Sequence, residues 1–148
     1  MLLKNIWLKL TNSQEYQKQK ILHLRNKTVF EYKSKYEPEL IKIRKKIKNQ
    51  NELNFLHSGH AADIVNVLPV IKELSKNHKC NLIINLNKKV KNYYKHPAGK
   101  NYLNDKIFSM LYPLLNNQTY LNKVEKYSNQ NIDVNFDLLR SLPINLLF

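Results

Sequence analysis

The segment His57-Ser58-Gly59-His60-Ala61-Ala62-Asp63 holds the one concentrated set of reactive side chains in this 148-residue chain. A carboxylate such as Asp63 can take a proton from a hydroxyl, and serine and histidine can bind or orient that hydroxyl. Gly59 permits a positive φ or the close approach of a ligand. A helix beginning here would offer unpaired amides to an anion such as phosphate and would keep Asp63 ionised at its positive end. Plainer readings stand beside these: Ser58 as a helix cap, Asp63 as a first-turn charge, His57 and His60 as ordinary loop residues. No metal site is expected. His57, His60 and Asp63 follow one another at intervals of three, but from a strand end to a helix start they need not converge. There is also no His-Glu-x-x-His motif. The single cysteine, Cys80, excludes an internal disulfide and an all-cysteine zinc site. It opens an apolar run and is expected to pack as a small apolar side chain rather than act as a nucleophile.

The elements around this loop follow from periodicity. Leu53–His57 reads as a short strand, and Ile64, Val67, Leu68, Ile71 and Leu74 recur at helical spacing. Cys80–Leu86 is a second strand, rich in branched apolar residues. Residues 53–86 thus read as strand, loop, helix, strand, the unit of a parallel sheet. Ligands of such sheets collect in the crevice at the carboxyl ends of the strands, where the His57–Asp63 loop falls. Pro69 lies inside the helix and is expected to kink it. Residues 88–103 read as a polar loop and 104–116 as a helix with Ile107, Met110, Leu111, Leu114 and Leu115 on one face. Tyr120–Val124 and Ile132–Phe136 are further strand candidates. Upstream, residues 13–35 and 37–50 read as two helices, the first capped by Ser13, the second accepting Pro38 in its first turn. Leu2, Leu3, Ile6, Trp7 and Leu10 share a face of a short leading helix. That face suits packing on the domain or shallow anchoring at a membrane surface. The predicted fold class is α/β, a Rossmann-like parallel sheet with flanking helices, preceded by a basic helical extension over 1–50.

Residues 57–74, His57-Ser58-Gly59-His60-Ala61-Ala62-Asp63-Ile64-Val65-Asn66-Val67-Leu68-Pro69-Val70-Ile71-Lys72-Glu73-Leu74, resemble the start of the lipopolysaccharide heptosyltransferase family and related GT-B glycosyltransferases. Those open with a strand, a Ser/Gly-containing loop, Gly-Asp, apolar residues, Leu-Pro and a continuing helix. Leu111-Tyr112-Pro113-Leu114-Leu115, Gln118-Thr119-Tyr120-Leu121 and Ile132-Asp133-Val134-Asn135-Phe136-Asp137-Leu138-Leu139-Arg140 are similar to later segments of such proteins. The resemblance spans about residues 53–140. It implies that Asp63 is the general base in sugar transfer from a nucleotide-sugar to a glycan or glycolipid acceptor. It also implies that Ser58, Gly59 and His60 shape the acceptor side of the cleft. Ala62 departs from the pattern, standing where the family has glycine, and its methyl group narrows the approach. A GT-B enzyme has two Rossmann-like domains, and residues 51–148 are expected to form the acceptor-side one, incomplete, from a truncated or split enzyme. The resemblance implies no resident cofactor. The nucleotide-sugar donor is expected only with a second domain or subunit.

Charge adds a further expectation. The chain carries a formal +14, with 13 Lys/Arg against 4 Glu in residues 1–50, a net +9. Only Arg25, Arg44 and Arg140 are arginines, the residue favoured for reading phosphate and guanine with two parallel bonds. The lysine-rich extension therefore argues only weakly for base-specific recognition and is read first as a solvated face; if it has a partner, an anionic membrane face, where lipid-linked acceptors lie, fits the sugar-transfer reading as well as nucleic acid does. Nucleic-acid binding and a non-catalytic interaction role are the alternatives. Residues 1–10 lack the features of a signal peptide, because Lys4 and Lys9 break the apolar run. A cytoplasmic protein, peripheral at a membrane, is the expectation.

Overall fold

The computed structural model describes residues 2–90 and 99–138, which fall into two compact units with the division after Leu40. The first unit is helical. Helix α1 (Leu2–Thr11) leads into α2 (Ser13–Glu31), whose cap is Asn12 rather than Ser13: the Asn12 side chain accepts from the Glu15 amide at 3.1 Å. Asparagine caps as well as serine does, and one residue earlier places it correctly for the third amide of the helix. Thr28 and Tyr36 are buried, while Trp7, Leu10, Ile21 and Phe30 are exposed.

The predicted break between two helices near residue 36 is absent. Helix α2 passes through one π-helical turn, Tyr32–Tyr36, into α3 (Glu37–Asn49). The Glu37 amide bonds to the Tyr32 carbonyl, five residues back. Pro38 supplies the reason. It has no amide proton, and its ring crowds the carbonyl four residues before it, so a locally widened turn accommodates it without ending the helix.

The second unit is α/β and begins at Ile41, so the last part of α3 belongs with it. Four parallel strands form one sheet in the order β3-β2-β1-β4: β1 (Glu52–His57), β2 (Lys79–Ile84), β3 (Lys123–Lys126) and β4 (Val134–Asn135). β1 pairs with β2 along its whole length, Glu52 opposite Lys79 and His57 opposite Ile84. Helix α4 (Ala61–Leu74) joins β1 to β2, and α5 (Asp105–Asn116) precedes β3. The α/β class, the parallel sheet and the flanking helices are as the sequence pattern predicts. Helix α4 continues through Pro69 to Leu74.

One core unites these elements. Leu53 and Phe55, Cys80, Leu82 and Ile84, Val124 and Val134 come from the four strands. They meet Ile64, Val67, Leu68 and Ile71 of α4 and Phe108 and Leu115 of α5, with Ile43 and Ile47 of α3 packed against the cluster. The alternate residues Leu56 and Ile83 are buried too, as expected for central parallel strands covered on both faces. Asn54 and Asn81 interrupt these apolar strands and satisfy one another. The Asn81 side chain donates to Glu52 and to Asn54 Oδ1 at 2.8 Å, and accepts from Asn122 at 2.7 Å.

Strand boundaries shift, and the Ile132–Phe136 candidate shortens to the two residues of β4. β3 starts three residues later than the Tyr120 expected, because Leu121 belongs to a turn, with its amide bonded to the Gln118 carbonyl, and fills the core from there. β2 stops at Ile84 because the Asn85 side chain accepts from the Asn87 amide and turns the chain. The apolar segment Ser141–Phe148, Leu139 and Arg140, and Pro97 in the polar loop lie outside the described residues.

Candidate functional site

The reactive loop leaves β1 at the carboxyl edge of the sheet. Its neighbours there are β2 on one side and β4 on the other. The chain winds from β1 outward through β2 to β3, then returns to place β4 on the opposite side of β1. The boundary between β1 and β4, which pair directly, is therefore the point at which the winding reverses, the place beyond whose strand ends open α/β sheets bind ligands.

Each residue of the loop has a defined environment. His57 is buried beside Phe136, and its Nδ1 accepts from the Gly59 amide at 2.8 Å, which puts the proton of a neutral ring on Nε2. Gly59 is buried and does not take the left-handed conformation. The described positive-φ residues are Gly99 and Asn129. Ser58 does not cap α4. The cap position is His60, in extended conformation, and its amide donates to Asp63 Oδ2 at 3.0 Å. This bond holds the Asp63 carboxylate over the first turn of α4, half-exposed. Ala62 is exposed on the same turn.

Ser58 points the other way. It is buried, its amide donates to Asp137 Oδ1 at 3.1 Å, and its hydroxyl has no hydrogen-bond partner among the described residues. The structure thus separates the loop into an Asp63 side, with His60, and an Asp137 side, with Ser58. Asp137 follows β4, and its Oδ2 receives Lys88 Nζ at 2.5 Å. Burial raises the Asp137 carboxyl, but Lys88 and the hydroxyl and amide of Ser58 outweigh it, and the net shift is downward. The hydroxyl of Ser58 lies near enough to favour the carboxylate, yet outside hydrogen-bond geometry.

Asp137 and Lys88 carry no role in the sequence reading, although Asp137 stands in one of the segments that resembles glycosyltransferases. The missing signal is distance along the chain: Ser58 and Asp137 are 79 residues apart, Lys88 and Asp137 49 apart. Lys88 is held by a doubling-back of its loop. The Tyr102 amide bonds to the Lys88 carbonyl, the Val90 amide bonds to the Lys100 carbonyl, and Lys89 bridges Asn101. The Tyr102 ring meets the His60 ring edge-on at 4.8 Å, tying this loop to the start of α4.

Among the described residues no three His, Cys, Asp or Glu side chains converge as a metal site. Cys80 packs in the core, and burial pushes its thiol up to about 11, so it is not a thiolate at neutral pH. Among the described residues no helix is long and apolar enough to cross a membrane. No protein-family model matches the chain, and neither a curated protein nor a solved structure is significantly similar to it.

Proposed function

We propose that this chain is a glycosyltransferase-like domain, Rossmann-like in fold, that holds a glycan or glycolipid acceptor in the crevice at the carboxyl edge of its sheet. The supporting observation is positional: the loop Ser58–Asp63 leaves a central strand where the winding reverses, with β4 and Asp137 directly beside it. Asp63 acts as general base. Its carboxylate takes the proton of an acceptor hydroxyl as that oxygen bonds to the anomeric carbon. The bond from that carbon to the nucleoside diphosphate breaks, and the diphosphate leaves with the electron pair. The His60 amide fixes one oxygen of Asp63. Ser58, Gly59 and His60 shape the acceptor side. The nucleotide-sugar is held by a second GT-B domain or subunit. The lysine-rich residues 1–50 bring the chain to an anionic membrane face carrying lipid-linked acceptors.

The test is transfer from nucleotide-sugars, assayed with this chain and with the products of adjoining reading frames. In an active assembly Asp63→Ala abolishes turnover while circular dichroism stays native. Turnover that survives the substitution removes Asp63 as base.

A further inference from the structure

We propose that the base of the loop after β2 is a strap, closed over the exit of β1, that opens as a local unit without the sheet. The strap consists of Lys88–Val90 and Lys100–Leu103. It does not depend on which ligand the carboxyl edge takes. Its path follows from the ion pair. β2 and β4 lie on opposite sides of β1. Lys88 comes after β2, which ends at Ile84, and Asp137 comes after β4, which ends at Asn135. Their 2.5 Å contact therefore bridges the end of β1. The Ser58 amide, the first after β1, donates to the same carboxylate at 3.1 Å. A second tie joins the Tyr102 ring edge-on to the His60 ring at 4.8 Å. His57, Ser58 and Gly59, the residues that run from one tie to the other, are all buried.

The strap is built to move as one piece. The Tyr102 amide bonds to the Lys88 carbonyl at 3.1 Å and the Val90 amide to the Lys100 carbonyl at 2.9 Å, so the two ties sit on one doubled-back segment. Its ends are fixed: Asn101 Nδ2 donates to the Leu86 carbonyl at 3.0 Å, and Leu103 is buried in the core. What holds the strap down is weaker than what lies beneath it. The Lys88 side chain is 36% exposed, so water and salt compete for its charge. The other tie is a single ring contact between two half-buried residues. Beneath them β1 and β2 pair from Glu52 to His57 through buried apolar residues. Segments held by a few part-exposed polar contacts open at far lower free energy than a buried ladder does. Closure hides Ser58 and Gly59 while leaving Asp63 half-exposed, so a ligand reaches those two residues only when Lys88 leaves Asp137.

The experiment is amide hydrogen exchange, read residue by residue by NMR, on the full chain and on its Lys88→Met and Tyr102→Leu variants. The reporting amide is that of Gly59, which bonds to His57 Nδ1 at 2.8 Å and to neither substituted side chain. In the native chain Gly59 is expected to be protected, yet to exchange at least about tenfold faster than the amides of β2. Each variant is expected to speed Gly59 by at least about a further tenfold and to leave the β2 amides unchanged. Tyr102→Leu keeps the Lys88–Asp137 pair, so it loosens the strap without stranding the Asp137 charge. It decides alone should Lys88→Met fail to fold. Gly59 exchange left unchanged by either folded variant overturns the strap. A rise shared equally by the β2 amides overturns it too, because the whole α/β unit is then what opens.

Discussion

Asp137 shows how a single side chain can join segments far apart in sequence. Its carboxyl is buried, which alone would favour the neutral form, yet Lys88 and Ser58 hold it ionised and below the ordinary carboxylate range. Ionisation therefore stabilises the fold above the unfolded-state value of about 3.9, and that contribution is lost as pH falls through the lower folded-state value. Urea denaturation of the native chain and Asp137→Asn should show a stability gap that is full at neutral pH and closes in strong acid. Ser58→Ala removes one of the groups that favour the Asp137 carboxylate, so it should lose part of the same neutral-pH stability gap in the same denaturation experiment. Asp133 differs again, because its side chain is 4% exposed and serves two groups, the Asn54 amide at 3.0 Å and Lys46 at 3.3 Å. Asp133→Ala strands the amide, and a loss of about 1–3 kcal/mol in the urea midpoint analysis is expected.

The elements show where local pattern was sufficient. Helix α4 is legible as written: Ile64, Val67, Leu68 and Ile71 recur at helical spacing and all four enter the core. Ile71 is fully buried, and Ile71→Ala should cost about 2–5 kcal/mol by thermal or urea unfolding. Pro69 is exposed on this helix and deprives the Val65 carbonyl of its usual partner. Pro69→Ala restores that bond and should raise the unfolding midpoint, a gain of about 1–3 kcal/mol. β1 and β2 were legible for a different reason, since buried parallel strands read as near-continuous apolar runs. The start of β3 was not, because Tyr120 and Leu121 carry a strand-like pattern while serving the core from a turn. The π-turn at Tyr32–Tyr36 was also illegible. Pro38 signals a problem for the helix, but the sequence does not say whether the chain breaks there or widens.

At the scale of the whole molecule, charge and compactness divide at different points. The sequence assigns the basic extension to residues 1–50, whereas the α/β unit already begins at Ile41. Lys46 illustrates the overlap: it belongs by composition to the basic segment, yet it bonds to Asp133 and to the Ile132 carbonyl at 2.9 Å. Not every lysine of the first fifty is therefore available to an external anion. Binding of the full chain to phosphatidylserine vesicles should still be measurable by co-sedimentation at low salt. It should fall steeply as ionic strength approaches 1 M, where the screening length is only about 3 Å. Binding that persists unchanged at high salt would contradict an electrostatic attachment. Tight, salt-sensitive binding to duplex DNA in the absence of any vesicle binding would favour nucleic acid as the partner.

The sequence by itself determined the α/β class, helix α4, the two central strands and the polar loop between them. Each of those depends on neighbours within a few residues, through backbone hydrogen bonding and the alternation of apolar side chains. Only the tertiary structure decided the strand order, which side of β1 receives β4, and which cations and hydroxyls gather at its end. Those outcomes depend on how buried surfaces fit together across the chain. A contact such as that of Ser58 with Asp137 leaves no periodic trace in the sequence. The same division runs through the site itself. Asp63 and His60 meet across three residues, within reach of a local reading, whereas Lys88 and Asp137 reach Ser58 only because the sheet folds them there.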